Sequence, residues 1–218
     1  MPAESGSVPV RAATGNDIPA LSRLLAEAFH HNAVVSWMIP REKARRRILP
    51  HLYAAMLRRE YLARGVVDVV EANGVVVGAA LWNVPGAAPS STSEQLRQLP
   101  ETLSILRLEA LTSARRFGAV ASLEQRRPRQ PHWYFANLAV HPDVQRRGIS
   151  RALMHAGLRR ADASRRPTYG DLTAPYFAGR LQAAGFRLLD PVELSGAPPV
   201  RPVWRPVPED LAPDEIEC

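Results

Sequence analysis

Cysteine is almost absent from this chain of 218 residues, and its one example, Cys218, is the last residue. One cysteine cannot close a disulfide within the chain, and it cannot supply the cysteine set of a structural zinc site. The sequence therefore indicates a protein of a reducing compartment. We expect a cytoplasmic location and no metal ligands.

Long apolar runs are missing as well. No stretch approaches the roughly 18 consecutive apolar residues that span a bilayer. The first residues, MPAESGSVPV, lack the basic and then apolar layout of a secretory signal. With 46% hydrophobic and 22% charged residues, the composition is that of an ordinary globular domain, and we expect no membrane partner.

Acidic residues are in deficit, since 21 Asp and Glu face 28 Lys and Arg, which gives a net charge of +7. Such a surface suits an anionic partner, which would be a nucleic acid, an acidic lipid or a phosphorylated cofactor. The basic residues are spread along the chain, however, and no helix-turn-helix spacing or RNA-binding aromatic motif accompanies them. We therefore favour a solvated arginine-rich surface and expect no nucleic acid, and a nucleic-acid-associated protein is kept as a third hypothesis.

The hydrophobic periodicity alternates between strand and helix and gives the order β-α-α-β-β-(helical insert)-β-α-β-α-β. The clearest local signal is the pair of β-branched runs around Asn73-Gly74, which is typical of an antiparallel hairpin. Pro50 is expected to dent or divide a helix over 41–63. The order predicts an α+β fold with a mixed sheet and helices on its faces.

We expect a single domain over residues 8–207, because no linker separates two cores. Within it, a helical insert of about 91–127 follows the hairpin. Residues 1–7 are predicted to form a flexible tail, and residues 208–218 an acidic C-terminal tail. The sequence leaves the oligomeric state open between monomer and homodimer.

A glycine at the start of a predicted helix marks the segment that is most informative about ligand binding. The run 138–140 ends a strand, a short polar loop follows, and Gly148 precedes an amphipathic helix. Unpaired N–H groups and the helix dipole at such a start attract a phosphate, and glycine lets a ligand approach the backbone. Arg146, Arg147 and Arg151 add positive charge. These features predict an anion site, although an ordinary strand-loop-helix with solvated arginines accounts for them equally well.

The same loop carries a family resemblance. Gln145-Arg-Arg-Gly-Ile-Ser150 resembles the Q/R-x-x-G-x-G/A loop of GNAT (Gcn5-related N-acetyltransferase) proteins. The segment 10–17, the Asn-Gly hairpin, the aromatic strand 133–140 and Ala184-Gly-Phe186 follow in the order of that family. In detail the chain resembles puromycin N-acetyltransferase-type members, and the likeness covers roughly residues 8–206.

The resemblance implies a GNAT fold, in which a mixed, mostly antiparallel sheet contains a splayed pair of strands. It implies transfer of an acetyl group from acetyl-CoA to a primary amine of a small molecule or peptide by direct attack. The fourth strand would hold the pantetheine arm through its main chain, and the loop amides would hold the pyrophosphate. The implied cofactor-binding residues are Leu138, Ala139, Val140, Gln145, Arg146, Arg147, Gly148, Ile149, Ser150 and Arg151.

Two positions near the expected thioester depart from the family. Relatives usually carry a tyrosine four residues before the glycine of the Ala-Gly-Phe segment, where it protonates the leaving thiolate, and here that position is Leu181. Phe177 replaces a usual asparagine. These departures keep a second hypothesis open, in which a catalytically impaired domain binds acyl-CoA as a sensor or interaction module.

Three residues are candidates for the catalytic work. Tyr176 is the tyrosine nearest to the missing acid, and capping or packing is the competing interpretation. Asp171 lies on the splayed strand, where it would hold the amine or relay a proton, or would be a solvated strand end. Asn137 lies among apolar neighbours, where a polar group needs a partner such as the substrate.

Overall fold

A computed structural model describes residues 8–86, 110–194 and 196–209 of the chain. The expected tail 1–7, much of the expected insert and nearly all of the expected acidic tail lie outside those residues. The described end of the insert forms a helix over Ala110–Ala121. The division into domain and tails therefore stays a prediction. Within the described ranges, no helix is both long enough and apolar enough to cross a membrane.

One sheet of seven strands organises the described chain. The strands are β1 (Arg11–Ala12), β2 (Gly65–Ala72), β3 (Val75–Asn83), β4 (Trp133–Val140), β5 (Thr168–Leu172), β6 (Arg187–Leu188) and β7 (Arg201–Arg205). Their order across the sheet is β1-β2-β3-β4-β5-β7-β6. Every neighbouring pair is antiparallel except β4 and β5, which are parallel. The mixed, mostly antiparallel sheet confirms the α+β prediction.

Helices flank the sheet on both faces. They are α1 (Ile18–Phe29), α2 (Ala33–Met38), α3 (Glu42–Met56), α4 (Leu62–Arg64), α5 (Ala110–Ala121), α6 (Ile149–Ala163) and α7 (Ala178–Ala183). Successive residues of β3 point to opposite faces, so Leu81 packs with Leu21 of α1, and Trp82 packs with Leu153 of α6. Gly157 lets α6 approach the sheet, because a Cβ there would lie 2.1 Å from the ring of Trp82.

The parallel pair β4 and β5 separates partway along its length. The two strands are paired only from Trp133 to Phe135 and from Thr168 to Gly170. Beyond that point β4 stays paired with β3 as far as Val140, and β5 stays paired with β7 as far as Leu172. The strands therefore splay and leave a gap in the middle of the sheet, as the family resemblance implied.

Two helical features differ from the sequence-based expectation. α3 runs without a break through Pro50, which was expected to dent or divide it. Proline removes one backbone hydrogen bond, but Leu49 and Leu52 on either side of it are buried in the core against α1, and that packing outweighs the loss. The short helix α2 was not predicted, although Asn32 caps it by accepting hydrogen bonds from the amides of Val34 and Val35.

A π-helical turn, Leu57–Tyr61, follows α3 directly. A π-helix closes its hydrogen bonds over five residues instead of four, and such turns are frequent at functional sites. Tyr61 is buried, and Glu60 beside it is half-buried. Both side chains line a cavity next to the gap in the sheet.

Candidate active site

The loop between β4 and α6 has the geometry of an anion site. His141 begins a short 3₁₀ turn, Pro142–Val144, by accepting a hydrogen bond from the amide of Asp143 at 3.4 Å. Gly148 then caps α6 with a left-handed φ of 80°, a conformation that favours glycine. The first amides of α6 have no partner inside the helix and point toward the loop. They can hold a pyrophosphate there.

A cleft of about 680 Å³ extends from this loop into the gap between β4 and β5. The expected cofactor residues that line it are Leu138, Ala139, Val140, Gln145, Arg146, Ile149 and Ser150. Arg147, Gly148 and Arg151 are exposed and do not line it. The structure thus gathers seven of the ten expected residues around one cleft, and their role in binding the cofactor stays a prediction.

A second cavity, of about 190 Å³, lies on the side of the gap that faces α1, α3 and α5. We call it the acceptor cavity. Its apolar wall includes Phe29, Leu52 and Phe117. Six residues line both the cleft and the acceptor cavity, namely Phe29, Asn32, Ala136, Asn137, Asp171 and Thr173. The two spaces therefore adjoin at the gap between the strands.

Asp171 occupies this junction. Its carboxylate accepts hydrogen bonds from the hydroxyls of Tyr134 and Tyr169, each at 3.1 Å. Burial raises the pKa of Asp171 above its ordinary value, although the guanidinium of Arg127 and the two hydroxyls act in the opposite direction. A carboxylate with a raised pKa accepts a proton more readily near neutral pH. Of the three candidates for catalysis, Asp171 has the environment that best suits a base.

The other two candidates differ in position. Asn137 is half-buried and lines both spaces, directly before residues 138–140 of β4. Tyr176 borders the cleft, but 87% of its surface is exposed. Leu181, at the usual acid position, is 2% exposed and packs in the core while one side of it lines the cleft. Among these three side chains, only Tyr176 carries an ionisable group, and it points largely to solvent.

Sequence reasoning missed the polar residues of the acceptor cavity. Glu60, Asn83, Glu124 and Arg127 all line it, together with Tyr134. The guanidinium carbon of Arg127 lies 3.7 Å from the centre of the Tyr134 ring, so the cation stacks on the aromatic face. No local motif marks these residues, because they come from separate segments of the chain.

A hydrogen bond crosses the mouth between the two spaces. The side-chain nitrogen of Asn32, the residue that caps α2, donates to the hydroxyl of Thr173 at 2.9 Å. Thr173 directly follows β5, so this contact ties the corner between α1 and α2 to the splayed strand. The cap of an unpredicted helix thereby forms part of the junction.

Comparison with known proteins gives the family. Residues 20–166 match the family model described as the acetyltransferase (GNAT) family. A solved structure from Corynebacterium glutamicum, described as histone acetyltransferase HPA2 and related acetyltransferase, is 25% identical, with a TM-score of 0.72 over 93% of this chain and 97% of that one.

Two more distant structures share the fold. Arylalkylamine N-acetyltransferase 2 from Aedes aegypti is 12% identical, with a TM-score of 0.66 over 92% of this chain and 99% of that one. A putative acetyltransferase from Salmonella typhimurium, solved with its cofactor acetyl-CoA, is 18% identical, with a TM-score of 0.54 over 96% and 99%. The match of the family model to more than half of the chain shows that this protein belongs to the acetyltransferase (GNAT) family.

Proposed function

We propose that the protein transfers an acetyl group from acetyl-CoA to the primary amine of a small molecule or peptide by direct attack. The observation that carries this proposal is the junction of the two spaces, where Asn137 and Asp171 line both the cleft and the acceptor cavity. A donor in the cleft and an amine in the cavity would meet at this point. Holding two reactants together in this way lowers the barrier to their reaction.

The lining of the cleft supports acetyl-CoA as the donor. The start of α6 and Arg146 offer amides and positive charge to the pyrophosphate. The segment 138–140 offers main-chain groups to the pantetheine arm, because among the described residues β4 has no strand partner on its β5 side beyond Phe135. The thioester would then lie in the gap, beside Asn137.

Asp171 is the proposed base. An amine must lose a proton before or during its attack, and a carboxylate within reach can accept that proton directly or through water. The amine nitrogen bonds to the thioester carbonyl carbon, the carbon–sulfur bond breaks, and the sulfur leaves as a thiolate that then takes up a proton. Tyr134 and Tyr169 hold the carboxylate in place through their hydroxyls.

The departing thiolate needs little help from an acid. A thiol has an ordinary pKa of about 8.5, so its thiolate is a tolerable leaving group near neutral pH. Leu181 supplies no proton, and Tyr176 is largely exposed at the rim of the cleft. The proposed mechanism therefore uses solvent as the source of this proton.

The test combines cofactor binding with turnover. Calorimetry should first show that the protein binds coenzyme A, and release of free thiol from acetyl-CoA should then be followed with a broad panel of primary amines. Amine-dependent thiol release supports the proposal. Tight coenzyme A binding without turnover of any amine contradicts it and favours the impaired acyl-CoA-binding module.

A further inference from the structure

We propose that Arg127 is a positioning residue for Asp171: it packs on the ring of Tyr134, holds the hydroxyl that donates to the carboxylate, and keeps that carboxylate ionised. Arg127 itself accepts no proton from the amine. The inference rests on the proposed acetyl transfer for the role of Asp171 as the base, whereas the contacts that join the three side chains do not depend on any reaction.

Two contacts lead from Arg127 to Asp171. The guanidinium carbon of Arg127 lies 3.7 Å from the centre of the Tyr134 ring, which is the geometry of a cation on an aromatic face. The hydroxyl of the same ring donates to Oδ2 of Asp171 at 3.1 Å. Tyr134 therefore has the guanidinium on its face and the carboxylate at its hydroxyl, and the stacked cation limits how far the ring can turn away from Asp171.

Arg127 differs from other partly or fully buried arginines of this protein. Arg45 donates to backbone carbonyls between α2 and α3, and Arg205 pairs with Asp162, so both tie separate segments of the fold together. The guanidinium of Arg127 donates no hydrogen bond within the described ranges, and its Nε is buried without a partner there. Holding a cation in this state costs free energy, so its place needs an electrostatic explanation.

Asp171 supplies that explanation. Burial raises the pKa of Asp171, and the charge of Arg127 is the largest influence in the opposite direction, ahead of the two tyrosine hydroxyls that bond to the carboxylate. A guanidinium does not lose its proton in proteins, so this influence persists at every working pH. Among the described residues that line the acceptor cavity, Arg127 is also the only cation.

Other ionisable groups surround Asp171. His132, which lies just before β4, acts in the same direction as Arg127 but less strongly, and burial lowers its own pKa. On β7 the residue paired with Asp171 is Pro202, which has no charge. The other carboxylates and tyrosines on the cavity side are Tyr53, Glu60, Tyr61 and Glu124. The ionisable residues on the cleft side are Glu27, His31, Arg146, Tyr176 and Arg180.

The balance at Asp171 matters because a base must be ionised before it can accept a proton. Burial alone would keep the carboxylate protonated up to a higher pH, where it could not act. Arg127 and the hydroxyl of Tyr134 favour the ionised form, so the carboxylate can accept a proton near neutral pH while burial keeps it more basic than an exposed aspartate. Removing the guanidinium should therefore raise the pKa of Asp171 further and move the acidic limb of kcat to higher pH.

Titration of Asp171 by NMR tests the arrangement without turnover. The ¹³C resonance of its side-chain carboxyl carbon follows its protonation, and the spectrum of Asp171→Asn identifies that resonance. Arg127→Met removes the charge and keeps an unbranched side chain, and it should raise the pKa of Asp171 by at least about 0.5. Arg127→Lys restores a positive charge and should undo at least about half of that rise. An unchanged pKa in Arg127→Met would overturn the proposal.

A neighbouring arginine provides the matched control. Arg126 is exposed and lines neither space, so Arg126→Met should leave the pKa of Asp171 unchanged. An equal rise in both methionine variants would mean that the net charge of the protein, and not the contact with Tyr134, sets the pKa, which would overturn the proposal. If Arg127→Met fails to fold, Arg127→Gln lacks the same charge and carries the same expectation.

A double-mutant cycle tests the route through Tyr134. Tyr134→Phe keeps the ring and removes the hydroxyl that bonds to Asp171, and it should raise the pKa of Asp171. Arg127→Met should then raise that pKa by less in the Tyr134→Phe background than in the wild-type protein, because part of its effect passes through the hydroxyl. Equal rises in the two backgrounds would overturn the action through Tyr134.

Thiol release over the same pH range separates this inference from the proposed function. A raised pKa in Arg127→Met without thiol release from any protein, wild type included, would support the positioning role and contradict acetyl transfer. Thiol release with the same acidic limb in wild type and Arg127→Met would support acetyl transfer and overturn the positioning role, even if kcat falls, because a merely structural residue lowers kcat without moving the limb.

Discussion

The cleft and the acceptor cavity adjoin at one gap in the sheet, yet their linings come from the chain in different ways. The end of the cleft proposed to hold the pyrophosphate comes from one continuous segment, 138–150, and it offers main-chain amides and the guanidinium of Arg146. The acceptor cavity collects side chains from α1, α3, the π-helical turn, β3, α5 and β4. Its charged residues in the described part of the chain are Glu60, Glu124, Asp171 and Arg127. Under the proposed function, the cleft would recognise its ligand mainly by backbone geometry and the acceptor cavity by side-chain chemistry.

This contrast separates the two reactants by charge. Under the proposed function, the start of α6 attracts the anionic donor, and the carboxylates that line the acceptor cavity attract the cationic amine. Each space disfavours the ligand of the other, because like charges repel. Substitutions on the acceptor side should therefore change catalysis, and substitutions in the loop should change cofactor affinity.

The largest effect is expected at the junction itself. Asp171→Asn removes the proposed base and should lower kcat by about 10²–10⁴-fold. Its affinity for coenzyme A should change by less than about twofold, since the pyrophosphate site lies in the loop. Steady-state kinetics measures the change in kcat, and calorimetry on the same preparation measures the affinity for coenzyme A. Asp190→Asn, which alters an exposed aspartate outside both spaces, serves as the control.

The pH dependence of kcat should report the same carboxylate. Burial raises the pKa of Asp171 above its ordinary value near 3.8, so as pH falls the base is protonated and activity is lost at a higher pH than for an exposed aspartate. In Asp171→Asn this acidic limb should disappear from the residual activity. If wild type and variant lose activity along the same limb, another group is the base.

A substitution at Gly148 in the loop before α6 should affect coenzyme A affinity more than kcat. Gly148→Asp places a carboxylate at the start of α6, where φ is 80°, and should weaken coenzyme A binding by at least about tenfold, or about 1.4 kcal/mol. At saturating acetyl-CoA, kcat should change far less than in Asp171→Asn.

A matched glycine controls for backbone strain. Gly86 also has a φ of 80° and open space around its Cβ position, and it follows the far end of β3. Gly86→Asp should therefore leave coenzyme A affinity unchanged, measured by the same calorimetry. Equal losses in both variants would mean that strain, and not the anion site, explains the effect.

The smallest effect is expected at Tyr176. Because 87% of its surface is exposed and the thiolate leaves readily, Tyr176→Phe should change kcat by less than about twofold. Thiol-release kinetics at saturating substrates measure this directly. A loss of kcat comparable to that of Asp171→Asn would mean that Tyr176 is the acid that protonates the leaving thiolate at the rim of the cleft.

The contrast between the two spaces also explains what could be predicted from sequence. The loop around Gly148 is local, so a short motif and the physics of a helix start are enough to locate it. Asp171 became a candidate because the splay of β5 was expected, and the structure places it at the junction of the two spaces. Glu60, Asn83 and Glu124 were missed because they are far apart in sequence and meet only after α3, β3 and the insert have packed together.

Helices and strands were also easier to predict where the signal was local in sequence than where it depended on tertiary packing. The hairpin around Asn73-Gly74 and the glycine cap of α6 carry their own turn signals, and both formed where they were expected. The continuity of α3 through Pro50 could not be read locally, because it depends on packing against α1. α2 was missed since Val34 and Val35 favour strand, although the capping asparagine before them was a usable sign.

The π-helical turn Leu57–Tyr61 has an evolutionary consequence. A π-helical turn holds one residue more than the α-helical turn that it replaces, so it can arise or vanish by a one-residue insertion or deletion. Each residue of an α-helix advances by about 100° around the axis, and such a deletion would therefore rotate Glu60 relative to α3 while leaving the sheet untouched. A single insertion or deletion of one codon would in this way change which side chains line the acceptor cavity and leave the loop before α6 unaltered.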